Sequence, residues 1–112
     1  MLEYLFGNKN TEKILFFILV NKQAHPRRLA RIFGASISSI QNALERLEFG
    51  GIIASRMEGN TRLYQWNPRC YFLKEVQQLI QKAYHSLPDS TKKELYERPE
   101  ERRRPRRSGK PL

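Results

Sequence analysis

Apolar residues recur along the chain with two different periods, and the change of period marks out its elements. The run "NTEKILFFILVNKQ" is apolar without a break from Ile14 to Val20. Seven consecutive apolar residues suit a buried strand as well as a helix. Asn10 or Thr11 as cap, Glu12 near the positive helix end, Lys22 near the negative end and a length of about 12 residues favour a helix. A helix that is apolar on every side is covered on every side. In a short chain the domain's own core covers one side, and a second copy is the natural cover for the other.

Helical spacing continues in "HPRRLARIFG". Pro26 fits the first helical turn, where a missing N–H costs nothing. Leu29, Ile32 and Phe33 share a face, and Gly34 supplies the left-handed residue that ends a helix. Ser36 then caps a helix running to about Phe49, with Ile37, Ile40, Leu44 and Leu47 on one side, Ala43 at its edge and Gly50-Gly51 as its stop. In "IIASRMEGNTRLYQW" the period falls to two. Two β-prone runs flank Gly59-Asn60, a two-residue hairpin signal. The turn pairs Glu58 with Thr61, Met57 with Arg62 and Ile53 with Trp66. After Asn67-Pro68, "CYFLKEVQQLIQKAYHSL" reads as a helix opening at Cys70 with a broad apolar stripe. "STKKELYER" is read as a further short helix. The predicted fold is mainly α with a small β-hairpin, in the order α-α-α-β-β-α, a winged helix-turn-helix. Residues 1–88 are expected to form the folded domain, and residues 89–112 a basic, largely disordered tail. "RPEERRRPRRSGKPL" has too little apolar surface to offset its chain entropy.

Charge turns this outline toward a partner. The 112 residues carry a net charge of +10. Residues 1–88 hold 12 Lys/Arg against 6 Asp/Glu, and residues 89–112 hold 9 against 5, so the domain is basic without its tail. Such an excess points to a polyanion, usually nucleic acid. The second helix of the unit leaves its outer face neutral and rich in hydrogen-bonding groups, where solubility alone would select Lys and Glu. At about 100° per residue, Ser38, Asn42 and Arg46 lie opposite Ile40, flanked by Ser39 and Gln41. These five are the candidates for base readout. Gln or Asn bonds adenine in bidentate fashion, and Arg46 takes guanine or phosphate. Arg27, Arg28 and Arg31 on the preceding helix, with Ser36 at the helix start, are the phosphate candidates. Arg56, Asn60 and Arg62 mark the wing. The dimer contact is assigned to Phe16, Phe17 and Val20 on the first helix and Leu73, Ile80 and Tyr84 on the last.

The stretch "LARIFGASISSIQNALERLEFGGII" followed by "EGNTRLYQWNP" resembles winged-helix transcriptional regulators of the ArsR/MarR superfamily. The matching positions are Leu29-Ala30, Gly34, Ser36, Ile40, Leu44, Leu47-Glu48, Gly51-Ile52, Gly59-Asn60, Arg62 and Tyr64. The resemblance implies a homodimer joined by its first and last helices, with two recognition helices in successive major grooves, acting on double-stranded DNA as a repressor. "LFGNKNTEKIL" and "NPRCYFLKEVQQLIQKAY" are similar to small stand-alone winged-helix proteins found beside minimal nucleotidyltransferases. That subgroup opens a second reading, a module for protein contact: an antitoxin or the partner of such an enzyme. A third is non-specific nucleic-acid binding through "RRRPRR".

Other chemistry finds little support. Metal-sensing ArsR members carry Cys pairs or His/Asp/Glu clusters. This chain has Cys70 alone, with His25 and His85 far apart, so no metal and no cofactor is expected. Cys70 at a helix start is either a redox-sensitive thiolate or, more simply, an inert half-buried thiol. No nucleophile–base set is gathered by spacing. Gly50-Gly51 follows a helix instead of a strand, which removes the phosphate-loop context. An enzyme is not expected. The longest apolar run is too short to span a bilayer, and Met1-Leu-Glu-Tyr does not open a signal peptide, so the expected location is cytoplasmic, with the nucleoid when bound.

Overall fold

The computed structural model describes residues 2–97. A single helical turn, α1 (Glu3–Phe6), closes at Gly7 and leads into α2 (Lys9–Asn21). Asn8 caps α2, its side chain accepting from the Thr11 N–H at 3.0 Å. This corrects the predicted cap: Asn10 and Thr11 lie inside the first turn, and Thr11 is buried there. The run Ile14–Ile18 is no more than 1% exposed at any position. It is covered by α1 on one side, by α4 and α5 on the others, and by a C-terminal turn described below. Ile14–Ile18 are thus covered within this one chain, while Leu19 and Val20 at the end of the run stay half-buried.

Helix α3 (Pro26–Phe33) has Pro26 at its start and ends at Gly34, whose φ of +64° is a conformation that a side chain would strain. Ala35 N–H closes the end on Ala30 O at 3.0 Å, and the chain enters α4 (Ile37–Phe49) through Ser36. The predicted stripe is inward: Ile40, Ala43, Leu44 and Leu47 are buried. Ile37, at the helix start, stays exposed. Strands β1 (Ile53–Glu58) and β2 (Thr61–Trp66) pair antiparallel in the predicted register, Ile53 against Trp66 through Glu58 against Thr61. A bridge between Ala24 and Tyr64 ties the hairpin to the loop before α3, with N···O distances of 3.0 and 2.8 Å. The arrangement is a winged helix-turn-helix: α3, a glycine turn, α4, then the wing.

Asn67 organises the exit from β2. Its side chain donates to Gly51 O at 2.9 Å, and its carbonyl accepts from Cys70 N–H at 3.0 Å. Cys70 thus sits in a turn, and α5 (Leu73–His85) begins beyond it. The predicted start at Cys70 is too early. After Pro88 come a helical turn, α6 (Asp89–Thr91), and a π-helical turn at Lys92–Tyr96. Tyr96 is 2% exposed and meets the rings of Phe16, Phe33 and Tyr84 at centroid distances of 5.6, 6.2 and 5.7 Å. Asn21 donates its amide to Tyr96 O at 2.9 Å, and the Tyr84 hydroxyl donates to the Glu97 carboxylate. The boundary drawn at residue 88 therefore falls inside the packed unit. The part of the predicted tail from Arg98 onward lies outside the described residues.

The same packing relocates most of the predicted dimer residues. Phe16, Phe17, Ile80 and Tyr84 are buried within the single chain, while Val20 and Leu73 are half-buried. The apolar side chains that remain exposed on α1 and α5 are Tyr4, Leu5 and Leu79. Among the described residues no helix is long and apolar enough to cross a membrane.

Candidate nucleic-acid interface

The start of α4 is a hydroxyl cluster. Ser36 Oγ accepts from Ser39 N–H at 3.1 Å, and the Ser39 hydroxyl donates to Ser36 O at 3.0 Å. Ser36 caps the helix, and the Ser39 hydroxyl is turned back onto the cap's carbonyl. Ser36 and Ser39, predicted as phosphate and base contacts, thus spend hydrogen-bonding capacity on the helix itself. Ser38 is exposed beside them.

Helix α4 presents three surfaces outside its buried stripe. On one flank lies a groove of about 570 Å³ between the start of α3, α4 and the wing. His25 lines it just before α3, Arg27, Arg28 and Arg31 from α3, Gln41 from α4, and Met57, Asn60, Thr61 and Arg62 from the hairpin. Residues separated by more than thirty positions in sequence meet here, and four of them are arginines. Arg27, Arg31, Gln41, Asn60 and Arg62 are exposed. Arg28 is half-buried, with its guanidinium 5.6 Å from the centre of the Phe17 ring. That stacking ties Arg28 to the core, so Arg27 and Arg31 are the α3 cations that project outward.

The second surface is the outward edge. Taking Ile40, Ala43, Leu44 and Leu47 as inward, Ser38, Asn42, Glu45 and Phe49 point away, and all four are exposed. Ser38 and Asn42 are among the predicted base contacts and Glu45 and Phe49 are not, although the same spacing of three and four runs through them. Phe49 is 96% exposed. On the other flank a wider groove of about 840 Å³ is lined by Ser39, Asn42, Glu45, Arg46 and Phe49 of α4 and by Asn8 and Asn10 at the start of α2. The five base-readout candidates are therefore divided: Gln41 faces the arginine groove, Ser39, Asn42 and Arg46 line the opposite one, and Ser38 stands between.

The wing arginines are divided too. In the observed register Arg56 pairs with Leu63, and Met57 with Arg62. Neighbours along a strand point to opposite faces, so Arg56 and Arg62 project from different sides of the hairpin. Arg56 turns from the groove to Gln65 Oε1 at 3.1 Å and to the Glu58 carboxylate at 3.5 Å. Arg62 shares its face with Ser55, whose hydroxyl accepts from Arg62 Nη1 at 2.9 Å.

His25 at the edge of the arginine groove is half-buried. Burial, then the charges of Arg28 and Arg31, hold its imidazole below the ordinary value of 6.5. The unfolded chain binds that proton near pH 6.5 and the folded chain only below it. Between the two values the unfolded state carries more protons, so the neutral side chain's contribution is complete above pH 6.5 and is lost as the pH falls through that window. Midpoint temperatures measured from pH 7.5 to 5 should therefore decline more steeply for the wild type than for His25→Gln. Parallel curves would mean that His25 titrates as it does in the unfolded chain.

Among the described residues no group of three or more His, Cys, Asp or Glu is placed to hold a metal ion. No protein-family model matches the chain. A search of curated proteins finds an uncharacterized HTH-type transcriptional regulator of Methanocaldococcus jannaschii, 32% identical over 66 residues, a match covering 59% of this chain and 17% of the relative. The chain thus corresponds to about a sixth of that protein's length. Two solved structures of a Lactococcus lactis ZitR mutant, one in apo form, are similar in outline, with TM-scores of 0.48 and 0.47 and identities of 14% and 16%. They cover 82% and 74% of this chain, and 78% and 64% of their own.

Proposed function

We propose that the protein is a helix-turn-helix transcriptional regulator that binds double-stranded DNA with α4 in the major groove and the hairpin as wing. The observation that carries this reading is the arginine groove, which gathers Arg27 and Arg31 of α3, Arg62 of the wing and the exposed amide of Gln41 on one wall of α4. A 13-residue helix is about 20 Å long and fits a groove about 12 Å wide. With the outward edge against the bases, the arginines face the phosphates of one strand. Gln41 and Asn42 suit adenine, Glu45 suits the cytosine amine, and Arg46 suits guanine or the opposite backbone. The similarity to an HTH-type regulator supports the same reading. The finer form of the proposal is a homodimer on an inverted repeat that represses by occupancy. Its contact would fall to the exposed Tyr4, Leu5 and Leu79 and the half-buried Val20 and Leu73 of the first and last helices, since Phe16, Phe17, Ile80 and Tyr84 are enclosed.

Selection of bound duplexes from a random pool at near-physiological salt tests this. The expected product is a consensus with two half-sites about 10 to 11 base pairs, or a multiple of that, apart. A pool that stays random after several rounds would refute sequence-specific binding, and a consensus with a single half-site would refute the paired form alone.

A further inference from the structure

The Arg62 guanidinium is held from the recognition helix. Ser55 Oγ donates to Glu48 Oε2 at 2.7 Å, and Arg62 Nη1 donates to Ser55 Oγ at 2.9 Å. The direction of this relay follows from the groups. A carboxylate only accepts, so the Ser55 hydrogen is committed to Glu48 and its lone pairs are left for Arg62, which only donates. The register makes the contact natural: Ser55 pairs with Tyr64, and Arg62, two residues before Tyr64, lies diagonally across on the same face. Glu48 is half-buried at the end of α4 against β1, and its charge also raises the Tyr64 phenol beyond the effect of burial.

We infer that Glu48 and Ser55 are positioning residues for DNA binding: they fix the wing's Arg62 to the end of α4, so that recognition helix and wing cation meet the duplex as one rigid unit. The inference rests on the duplex-binding reading above. A guanidinium has five N–H groups, and the relay occupies one, leaving the others to face a phosphate. Without Ser55 the arginine must be re-ordered each time it binds, at an entropic cost.

Two measurements test it. In the free protein, nitrogen-15 NMR of the arginine side chains should show hindered rotation of the Arg62 guanidinium in the wild type and in Ser55→Thr, which keeps the hydroxyl. The hindrance should disappear in Ser55→Ala and Glu48→Ala. With a mixed-sequence duplex of about 21 base pairs as probe, Arg62→Ala should weaken binding about 10-fold and lower the salt slope by about 1. Ser55→Ala should weaken it about 3-fold, Ser55→Thr should restore it, and Ser55→Ala should have no effect in the Arg62→Ala background. Unchanged Arg62 mobility in Ser55→Ala would remove the tether. A tether seen by NMR with additive losses in the double variant would remove the positioning role while leaving duplex binding intact. A wild type with hindered Arg62 that ignores the duplex would instead overturn the DNA reading, and the role inferred here with it.

Discussion

Replacing Arg27, Arg31 and Arg62 together with glutamine is expected to weaken duplex binding by about 100- to 1,000-fold at physiological salt. Each guanidinium that meets a phosphate contributes a charge-assisted bond and releases a condensed counterion. The three are exposed on the walls of one groove, so a single strand of backbone can engage them together. The loss should be equal on every sequence, and the plot of log K against log salt should be shallower by about three per subunit. Gln41→Ala and Asn42→Ala should act differently, relaxing base choice by about 1 to 3 kcal/mol at one position each while leaving the salt slope alone. Fluorescence anisotropy over a salt series with selected and random duplexes separates the two patterns. An unchanged slope in the triple variant would mean that the arginine groove does not hold the backbone. The contrast with Arg56 is a useful internal control. Its side chain engages Gln65 and Glu58 on the other face of the hairpin, so Arg56→Gln should leave the slope nearly as it was.

Tyr96→Ala should destabilise the protein by about 3 to 5 kcal/mol, the range for removing a large buried aromatic side chain. In a domain of this size that corresponds to a fall in midpoint temperature of roughly 12 °C or more. The ring lies in edge contact with Phe16, Phe33 and Tyr84, and no smaller side chain reaches all three. Its backbone carbonyl also receives the Asn21 amide, so loss of the ring loosens the whole turn from α2. A chain ended after Pro88 should lose the same cover and expose Phe16 and Tyr84. Thermal unfolding followed by circular dichroism checks both. A change below about 1 kcal/mol for Tyr96→Ala would mean that the π-helical turn is peripheral, a small effect of the kind seen at surface positions.

The two results bear on different parts of the reading. The first concerns a surface assembled from α3, α4 and the wing, and the second concerns the enclosure of α2. The second also revises the case for a homodimer. An all-apolar first helix asks for cover, and the expectation of a second copy came from that demand. Tyr96 and its neighbours meet that demand for Ile14–Ile18, so pairing has to rest on the exposed side chains of α1 and α5, on the half-buried Val20 and Leu73, and on direct measurement of mass in solution.

Much of the architecture is set by local rules. Pro26, Gly34 and Ser36 act through their own backbone or through a hydrogen bond three residues away, and each stands where its chemistry places it. The helical spacing of Ile40, Ala43, Leu44 and Leu47 and the Gly59-Asn60 turn define a helix face and a hairpin register without reference to the rest of the chain. The net charge of +10 is likewise a property of composition. What local spacing leaves open is direction. It identifies an outer face on α4 but not which edge of it adjoins the arginines; the tertiary fold turns Gln41 toward them and Asn42 and Arg46 away. Nor does it reveal that Arg28 stacks on Phe17, that Glu48 reaches Ser55, or that Tyr96 closes the core. The reason is physical: caps, turns and periodicity are interactions between near neighbours, whereas burial and ion placement depend on which distant surfaces the chain brings into contact.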